Sequence, residues 1–195
     1  DIKKAYIEDI FQKKYKAKVK QTHTSPKIGL INGLYATTCG IGGLTTIEIA
    51  KTHSNTFMDL TLTGSQGDVM KESIKCAKTI AWNLLPNSIK DSITPKSTGK
   101  NKPQNFGLHI HTPECATKKD GPSAGAAITL GILSVLSNTT INPNVAMTGE
   151  IDLNGNVTKI GGLQSKLLGA LKSGINKVLI PFDNKEDLDI IILEK

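Results

Sequence analysis

The residues with the clearest chemical potential lie in the stretch Lys118-Lys-Asp-Gly-Pro-Ser-Ala-Gly. Its serine, Ser123, follows a Gly-Pro corner and opens the small, apolar segment 123–137, which predicts a buried helix. The first backbone N–H groups of a helix have no intrahelical acceptor, and the helix dipole is positive at that end. These groups can hold an oxyanion after Ser123 attacks a carbonyl, although an ordinary capping serine gives the same pattern.

The neighbours of Ser123 fit this chemistry. Gly121 lets the backbone come close to a substrate, and Pro122 is compatible with the first turn of a helix. Asp120 is placed to cap that helix. We therefore expect Gly121, Pro122 and Ala124 to form the oxyanion and substrate loop.

A second unusual position is Lys166, in a helix predicted over residues 162–173. Lys166 lies three residues after Leu163 and four before Ala170, so it shares the edge of the apolar face. Lysine is rarely buried without a function. A side chain that extends to solvent is the simpler alternative.

Together, Ser123 and Lys166 predict a serine–lysine dyad. A serine hydroxyl is a weak nucleophile and needs a base. A neutral lysine can be that base if burial lowers its pKa from about 10.4 toward roughly 7–8, which disfavours the charged form by roughly 4 kcal/mol. Thr148, at the end of a short predicted strand, is a candidate for orienting the amine.

Two other constellations are open at this point. His111 and Asp120 could complete a triad with Ser123. His109, His111 and Cys115 could bind zinc, but they lack matched ligand spacing. Because the histidines alternate on a predicted strand and Asp120 is explained as a cap, both alternatives are weaker than the dyad, and no metal is expected.

The charge of the chain comes from lysine alone. The sequence has 24 lysines, no arginine and 17 acidic residues, for a net charge of +7. Bidentate arginine recognition and arginine-finger phosphoryl transfer are therefore excluded within this chain. Residues 1–27 carry +5 of the charge, and this segment could bind nucleic acid weakly, although a solvated lysine-rich surface explains it more simply.

The remaining composition favours an intracellular protein. The three cysteines have no CxxC spacing, which indicates a reducing compartment. No apolar run approaches 18 residues, so no membrane-spanning helix is predicted.

The order of predicted elements indicates an α+β fold, with helices packed on a mixed or antiparallel sheet. A hairpin is predicted over 28–37 and 44–50, with a turn built on Gly40, Gly42 and Gly43. The other predictions are a strand at 57–63, a helix at 69–85, an exposed loop at 90–105, a strand at 106–112, the helix at 123–137, a strand at 145–148, a hairpin around Asn154-Gly155, the helix at 162–173 and a buried strand at 177–181.

Several motifs in unbroken order resemble the proteolytic domain of Lon proteases. They are Lys119-Asp-Gly-Pro-Ser-Ala-Gly, Met147-Thr-Gly-Glu-Ile, Gly161-Gly-Leu-Gln-Ser-Lys-Leu-Leu and Val178-Leu-Ile-Pro. The resemblance covers about residues 28–190 and implies an α+β, ATP-dependent serine peptidase. It implies Ser123 as the nucleophile and Lys166 as the general base. Thr148 matches the threonine that holds the lysine, and Asp120 matches the acidic residue before the nucleophile.

The resemblance also implies partners and cofactors. It implies protein substrates, unfolded or regulatory, and a hexameric ring that encloses a proteolytic chamber. ATP and Mg²⁺ are expected for an ATPase module N-terminal in the full-length protein, and no cofactor for the present segment. The location would be the cytoplasm, the mitochondrial matrix of a eukaryote, or the host cell of a virus.

The chain begins at Asp1 rather than Met, so we expect a piece of a longer protein. Residues 1–27 would be a linker or the end of the ATPase module. Residues 28–195 would be the protease domain, with the terminal helix of the family missing or truncated.

Two positions depart from the family pattern on the approach to the nucleophile. Cys115 stands where the family usually has glycine, and Lys118 where it usually has proline, which leaves the resting shape of this loop open. The alternative function is a catalytically silent relative that forms rings or binds nucleic acid, with residues 13–27 as its main feature. Retention of both Ser123 and Lys166 favours the peptidase.

Overall fold

The computed structural model of the protein describes residues 23–95, 104–113 and 119–193. The described strands are β1 (Leu30–Ala36), β2 (Gly42–His53), β3 (Asp59–Thr63), β4 (Phe106–His111), β5 (Val145–Met147), β6 (Glu150–Ile151), β7 (Val157–Thr158) and β8 (Lys177–Leu179). The α-helices are α1 (Asp68–Leu84), α2 (Asn87–Ile93), α3 (Gly125–Ser137), α4 (Leu163–Lys172) and α5 (Lys185–Leu193), with 3₁₀ turns at Pro122–Ala124 and Phe182–Asn184.

Six strands form one mixed sheet in the order β3-β4-β2-β1-β5-β8. β2 pairs antiparallel with both β1 and β4, whereas β3–β4, β1–β5 and β5–β8 are parallel pairs. β6 and β7 form a separate antiparallel ribbon. The α+β class with a mixed sheet is confirmed.

The sheet has a helical layer on each face. Side chains alternate along its strands, so the strands place apolar residues on both faces, and each face is covered by helices. Ile31 on β1 belongs to a large core that includes the buried faces of α1 and α3. Leu34, three residues later, belongs to a smaller core on the other face, with Ala170 of α4. The helix that follows Ser123 and the helix that carries Lys166 therefore lie on opposite sides of the sheet.

The helix α4 approaches β2 so closely that side chains are excluded between them. A Cβ at Gly42 would overlap the carbonyl of Ser165, and a Cβ at Gly169 would overlap the backbone of Gly43. The prediction that Gly42 and Gly43 belong to the hairpin turn is therefore wrong. They lie inside β2 and provide the surface on which α4 rests.

Three other predictions need correction. The predicted loop at 90–105 begins inside α2, which starts directly after Pro86, and residues 96–103 lie outside the described part of the chain. The strand at 177–179 is not buried, since Lys177 and Leu179 are exposed at the edge of the sheet. Helix α5 is an element that the sequence prediction omits, although Leu188, Ile191 and Ile192 lie at helical spacing. Among the described residues, no helix has the length and apolar character needed to cross a membrane.

Candidate active site

Ser123 lies on the 3₁₀ turn that precedes the buried helix α3. The turn is held from two sides. The carbonyl of Ser123 accepts a hydrogen bond from Gly149 N at 2.8 Å, and Ser73 Oγ donates to the carbonyl of Pro122 at 3.3 Å. The backbone around the serine is thus fixed before any substrate binds, as a nucleophile on a rigid element requires.

Lys166 lies in the first turn of α4, and only 3% of its surface is exposed. Its Nζ donates to Thr148 Oγ1 at 3.2 Å. Burial lowers its pKa from 10.5 to about 8, because the charged ammonium loses hydration. Within the described residues, no carboxylate forms an ion pair with this amine, so the neutral form is accessible near neutral pH.

Thr148 connects the two predicted dyad residues. It follows directly after β5 and is fully buried. Its Oγ1 donates to the carbonyl of Ser123 at 3.2 Å while accepting from Lys166 Nζ. One threonine side chain beyond the end of β5 therefore links Lys166 on α4 to the turn that precedes α3.

The sequence predicted that Asp120 caps the helix that follows Ser123, but the structure shows a different role. Its Oδ1 accepts from the backbone N–H of Met70 at 3.3 Å, in the first turn of α1. The residue before α1 is Gly67, which has no side chain for this purpose, and a Cβ there would overlap the Asp120 carboxylate. Asp120 satisfies an orphan N–H of α1 from a distant part of the chain.

A backbone bridge strengthens this attachment. Gly67 N donates to the carbonyl of Lys119 at 2.8 Å, and Lys119 N donates to the carbonyl of Ser65 at 3.0 Å. The approach to the nucleophile is therefore tied to the start of α1. The departures from the family pattern at Cys115 and Lys118 lie outside the described residues.

The histidines of the alternative triad are engaged elsewhere. His109 Nε2 and His111 Nδ1 lie 2.9 and 2.7 Å from the same hydroxyl, that of Thr63. Neither histidine lines the cleft that contains Ser123. With Asp120 bonded to α1, the triad has no support in this arrangement. Across the described residues, no three His, Cys, Asp or Glu side chains are grouped so that they could hold a metal ion.

A cleft of about 790 Å³ contains both Ser123 and Lys166. Gly121, Pro122 and Ala124 line it, as predicted for the substrate loop. Sequence reasoning missed the other contributors, which include Tyr35, Met70, Glu150, Lys159 and the segment 160–162. Glu150 and Gly161 lie in the motifs of the Lon resemblance, a signal that could have indicated them.

The serine and lysine share this cleft without a direct hydrogen bond. Among the hydrogen bonds of the described residues, Lys166 Nζ donates to Thr148, and none joins it to Ser123 Oγ. Catalytic hydrogen bonds are often long without substrate and tighten in the complex. The dyad role of the two residues stays a prediction.

Comparisons with known proteins agree on one family. The family model of the Lon protease (S16) C-terminal proteolytic domain matches residues 1–194. The chain is 46% identical over 177 residues to a Lon protease homolog of Acanthamoeba polyphaga mimivirus, which covers 88% of this chain and 16% of that protein. It is 45% identical over 165 residues to a Lon protease of Escherichia coli strain K12, covering 85% of this chain and 20% of the relative.

A third relative extends the match along the chain. A Lon protease of Fusobacterium nucleatum subsp. nucleatum is 40% identical over 197 residues, which covers 98% of this chain and 24% of the relative. The chain thus spans less than a quarter of the length of these three curated relatives.

Proposed function

Because the chain belongs to the family of Lon protease C-terminal proteolytic domains, we propose that it is a serine endopeptidase with Ser123 as nucleophile and Lys166 as general base. The observation that supports this most is the lysine itself. It is buried, its pKa is lowered to about 8, and it faces the same cleft as a serine at the start of a buried helix.

The hydrogen bonds of Thr148 orient the lysine for this role. Because the Thr148 hydroxyl gives its proton to the carbonyl of Ser123, its oxygen can act only as an acceptor toward Lys166. A neutral amine has one lone pair, and Thr148 does not compete for it. The lone pair of Lys166 is then available to the Ser123 hydroxyl.

The proposed reaction moves one proton back and forth. Ser123 Oγ attacks the peptide carbonyl while Lys166 takes the hydroxyl proton, and backbone N–H groups near Ser123 hold the oxyanion. The C–N bond breaks as the ammonium of Lys166 returns the proton to the leaving amine. Water then attacks the acyl-enzyme while neutral Lys166 takes a proton from it. The ester C–O bond breaks as Lys166 returns that proton to Ser123 Oγ, which releases the carboxylic acid and restores the hydroxyl and the neutral amine.

The wider setting is also proposed by analogy with the relatives. We propose protein substrates, unfolded or regulatory, a homo-hexameric ring, ATP-dependence and an intracellular location. The sequence of the chain contains no glycine-rich loop ending in Gly-Lys-Ser or Gly-Lys-Thr, the motif of a common phosphate-binding loop. ATP and Mg²⁺ are therefore assigned to a part of the protein outside this chain.

The test is cleavage of a short, unstructured fluorogenic peptide, which needs no unfolding. Ser123→Ala and Lys166→Ala should each lower kcat by at least about 10³-fold with the fold intact. Lys172→Ala, at the other end of α4, is the matched control and should cleave normally. Retained cleavage by Lys166→Ala together with loss in His111→Ala would move the base to the histidine.

The alternative is a silent relative that binds nucleic acid. It predicts salt-dependent DNA binding through residues 13–27 and no peptide cleavage under any condition. Removal of the charges in that segment should abolish such binding. Cleavage that depends on Ser123 rules this alternative out, whether or not weak binding is also present.

A further inference from the structure

The connection between β7 and α4 forms part of the cleft. Lys159, Ile160, Gly161 and Gly162 all line it. Gly162 also starts α4, because its carbonyl accepts from Lys166 N at 3.0 Å. The position of this connection therefore determines where the helix that carries Lys166 begins.

Packing holds the two ends of this connection but not its middle, since Ile160 is buried and a Cβ at Gly162 would lie 2.8 Å from that of Ala36. A Cβ at Gly161 would meet no other atom within 4 Å. Gly162 has a φ of +68°, a left-handed conformation that glycine adopts most readily. A segment with two adjacent glycines has many alternative conformations, so something else must select the observed one.

A single buried amide supplies that restraint. Asn184 Oδ1 accepts from Ile160 N at 3.0 Å, and its Nδ2 donates to Ile160 O at 2.9 Å. The Asn184 side chain is completely buried. It satisfies both backbone groups of Ile160, as a neighbouring strand would.

The same amide makes a third hydrogen bond. Asn184 Nδ2 also donates to Asp187 Oδ2 at 2.6 Å, and Asp187 Oδ1 accepts from Lys159 Nζ at 3.1 Å. These hydrogen bonds hold the pKa of Asp187 below its usual value. Residues 159 and 160 are thus both attached to the segment between β8 and α5.

Only an amide satisfies this arrangement. The site requires one acceptor for Ile160 N and two donors, for Ile160 O and for Asp187. An aspartate at 184 would keep the acceptor, but it would turn lone pairs toward the carbonyl of Ile160 and toward a second carboxylate. The chemistry of the site therefore distinguishes asparagine from its closest isostere.

We propose that Asn184 is a positioning residue for the proposed general base, acting on the backbone end of Lys166 as Thr148 acts on the amine end. This inference rests on the proposed peptidase function. Asn184 touches no reacting atom. It fixes Ile160, and through Gly162 it fixes the first turn of α4, so that Nζ stays beside Thr148 in the cleft.

The main test compares Asn184→Ala and Asn184→Asp with wild type. A displacement of about 1 Å at a catalytic group can cost about 10²-fold in rate. We therefore expect kcat to fall about 10- to 100-fold, and this fall should be larger than the rise in KM.

The pH midpoint for reaction of Ser123 with a fluorophosphonate should move upward, because water gains access to Lys166. Asn142→Ala is the control, since its exposed side chain also accepts one backbone hydrogen bond, from Asn144 at 2.9 Å.

A readout independent of catalysis separates this inference from the proposed function. Acetylation of Lys166 by acetic anhydride is compared at a pH of about 10.5, where a large share of the amine is neutral in both proteins. Followed by mass spectrometry, it should be faster in Asn184→Ala than in wild type, because the reagent reaches the amine more easily. Wild-type protein that cleaves no peptide would overturn the proposed function, and unchanged Lys166 labelling in the variant would overturn the inference. Unchanged kcat and pH midpoint in a folded Asn184→Ala would overturn it as well.

A purely structural role is also distinguishable. It predicts a kcat loss equal to the unfolded fraction seen by circular dichroism, with the pH midpoint unchanged, and that result contradicts positioning. If Asn184→Ala does not fold, Asn184→Asp serves instead, since its carboxylate keeps the acceptor for Ile160 N and loses the donor to Ile160 O. The inference then requires a kcat loss with an upward shift of the midpoint, and no change in either overturns it.

Discussion

Two lysines seven residues apart line the same cleft and have opposite surroundings. Lys166 is 3% exposed and donates to a neutral hydroxyl. The Lys159 side chain is 53% exposed and lies 3.1 Å from the carboxylate of Asp187. The chemical group is identical, so its charge state is determined by access to water and by the partner. Burial without a counter-charge favours the free amine, whereas a carboxylate favours the ammonium.

The comparison is tested most strongly by removing each amine in turn. Lys166→Met should lower kcat for a short peptide by at least about 10³-fold, since it removes the proposed general base. Lys159→Met should lower it by less than about 10-fold. Equal losses in the two variants would show that the buried environment is not what makes Lys166 reactive.

Removing the partner of each lysine should give intermediate effects. Thr148→Val keeps the volume and deletes the hydroxyl, so Lys166 loses its hydrogen bond, and kcat should fall by about 10²-fold. Thr148→Ser should restore most of that loss. Asp187→Asn, the corresponding change beside Lys159, should cost less than about 10-fold. Steady-state kinetics on the three variants at one pH measures the order.

The lowered pKa of Lys166 should make the free energy of unfolding depend on pH. The pKa of Lys166 is about 8 in the folded protein, below its ordinary value of 10.5, so between these values the unfolded chain holds more protons. The free energy of unfolding should therefore rise with pH across this window, by about 2–3 kcal/mol. Lys166→Met should lack this rise and be the more stable protein below pH 8. Urea titrations from pH 7.5 to 10.5 give the difference from wild type.

The smallest effect concerns the exposed ion pair. Lys159→Met should lower Tm by at most about 2 °C at low salt, because exposed pairs contribute little and salt screens them. At 1 M salt the difference should vanish. A large, salt-independent loss would mean that Lys159 contributes through packing, and the contrast between the two lysines would then be weaker.

The sequence predicted the strands, the main helices and both residues of the proposed dyad. Ser123 and Lys166 could be found because each interrupts a local pattern. Each is a polar residue at the edge of an apolar helical stretch. Thr148 was found because it ends a short strand before Gly149. Local periodicity is visible in one sequence, and these features depend on it.

Apart from the two short helices α2 and α5, the errors concern contacts between distant parts of the chain. Asp120 has the local pattern of a cap for the helix that follows, and nothing nearby shows that its oxygen reaches Met70. The glycines 42 and 43 resemble turn residues, although a Cβ at Gly42 would overlap a helix more than a hundred residues later and a Cβ at Gly43 would overlap the Tyr35 ring. Asn184 follows Pro181 in what looks like an ordinary turn. Such roles depend on tertiary packing that spacing does not encode.

The placement of α3 and α4 on opposite faces of the sheet has a consequence for inactivation by heat. The core beneath α1 and α3 contains many large buried side chains, whereas the core beneath α4 consists of Leu34, Leu44, Ala146, Ala170 and Ile175. The layer with fewer buried apolar contacts opens first. The protein should therefore lose its proposed activity while most of its helix and sheet is intact, and the amides of α4 should exchange with deuterium before those of α3.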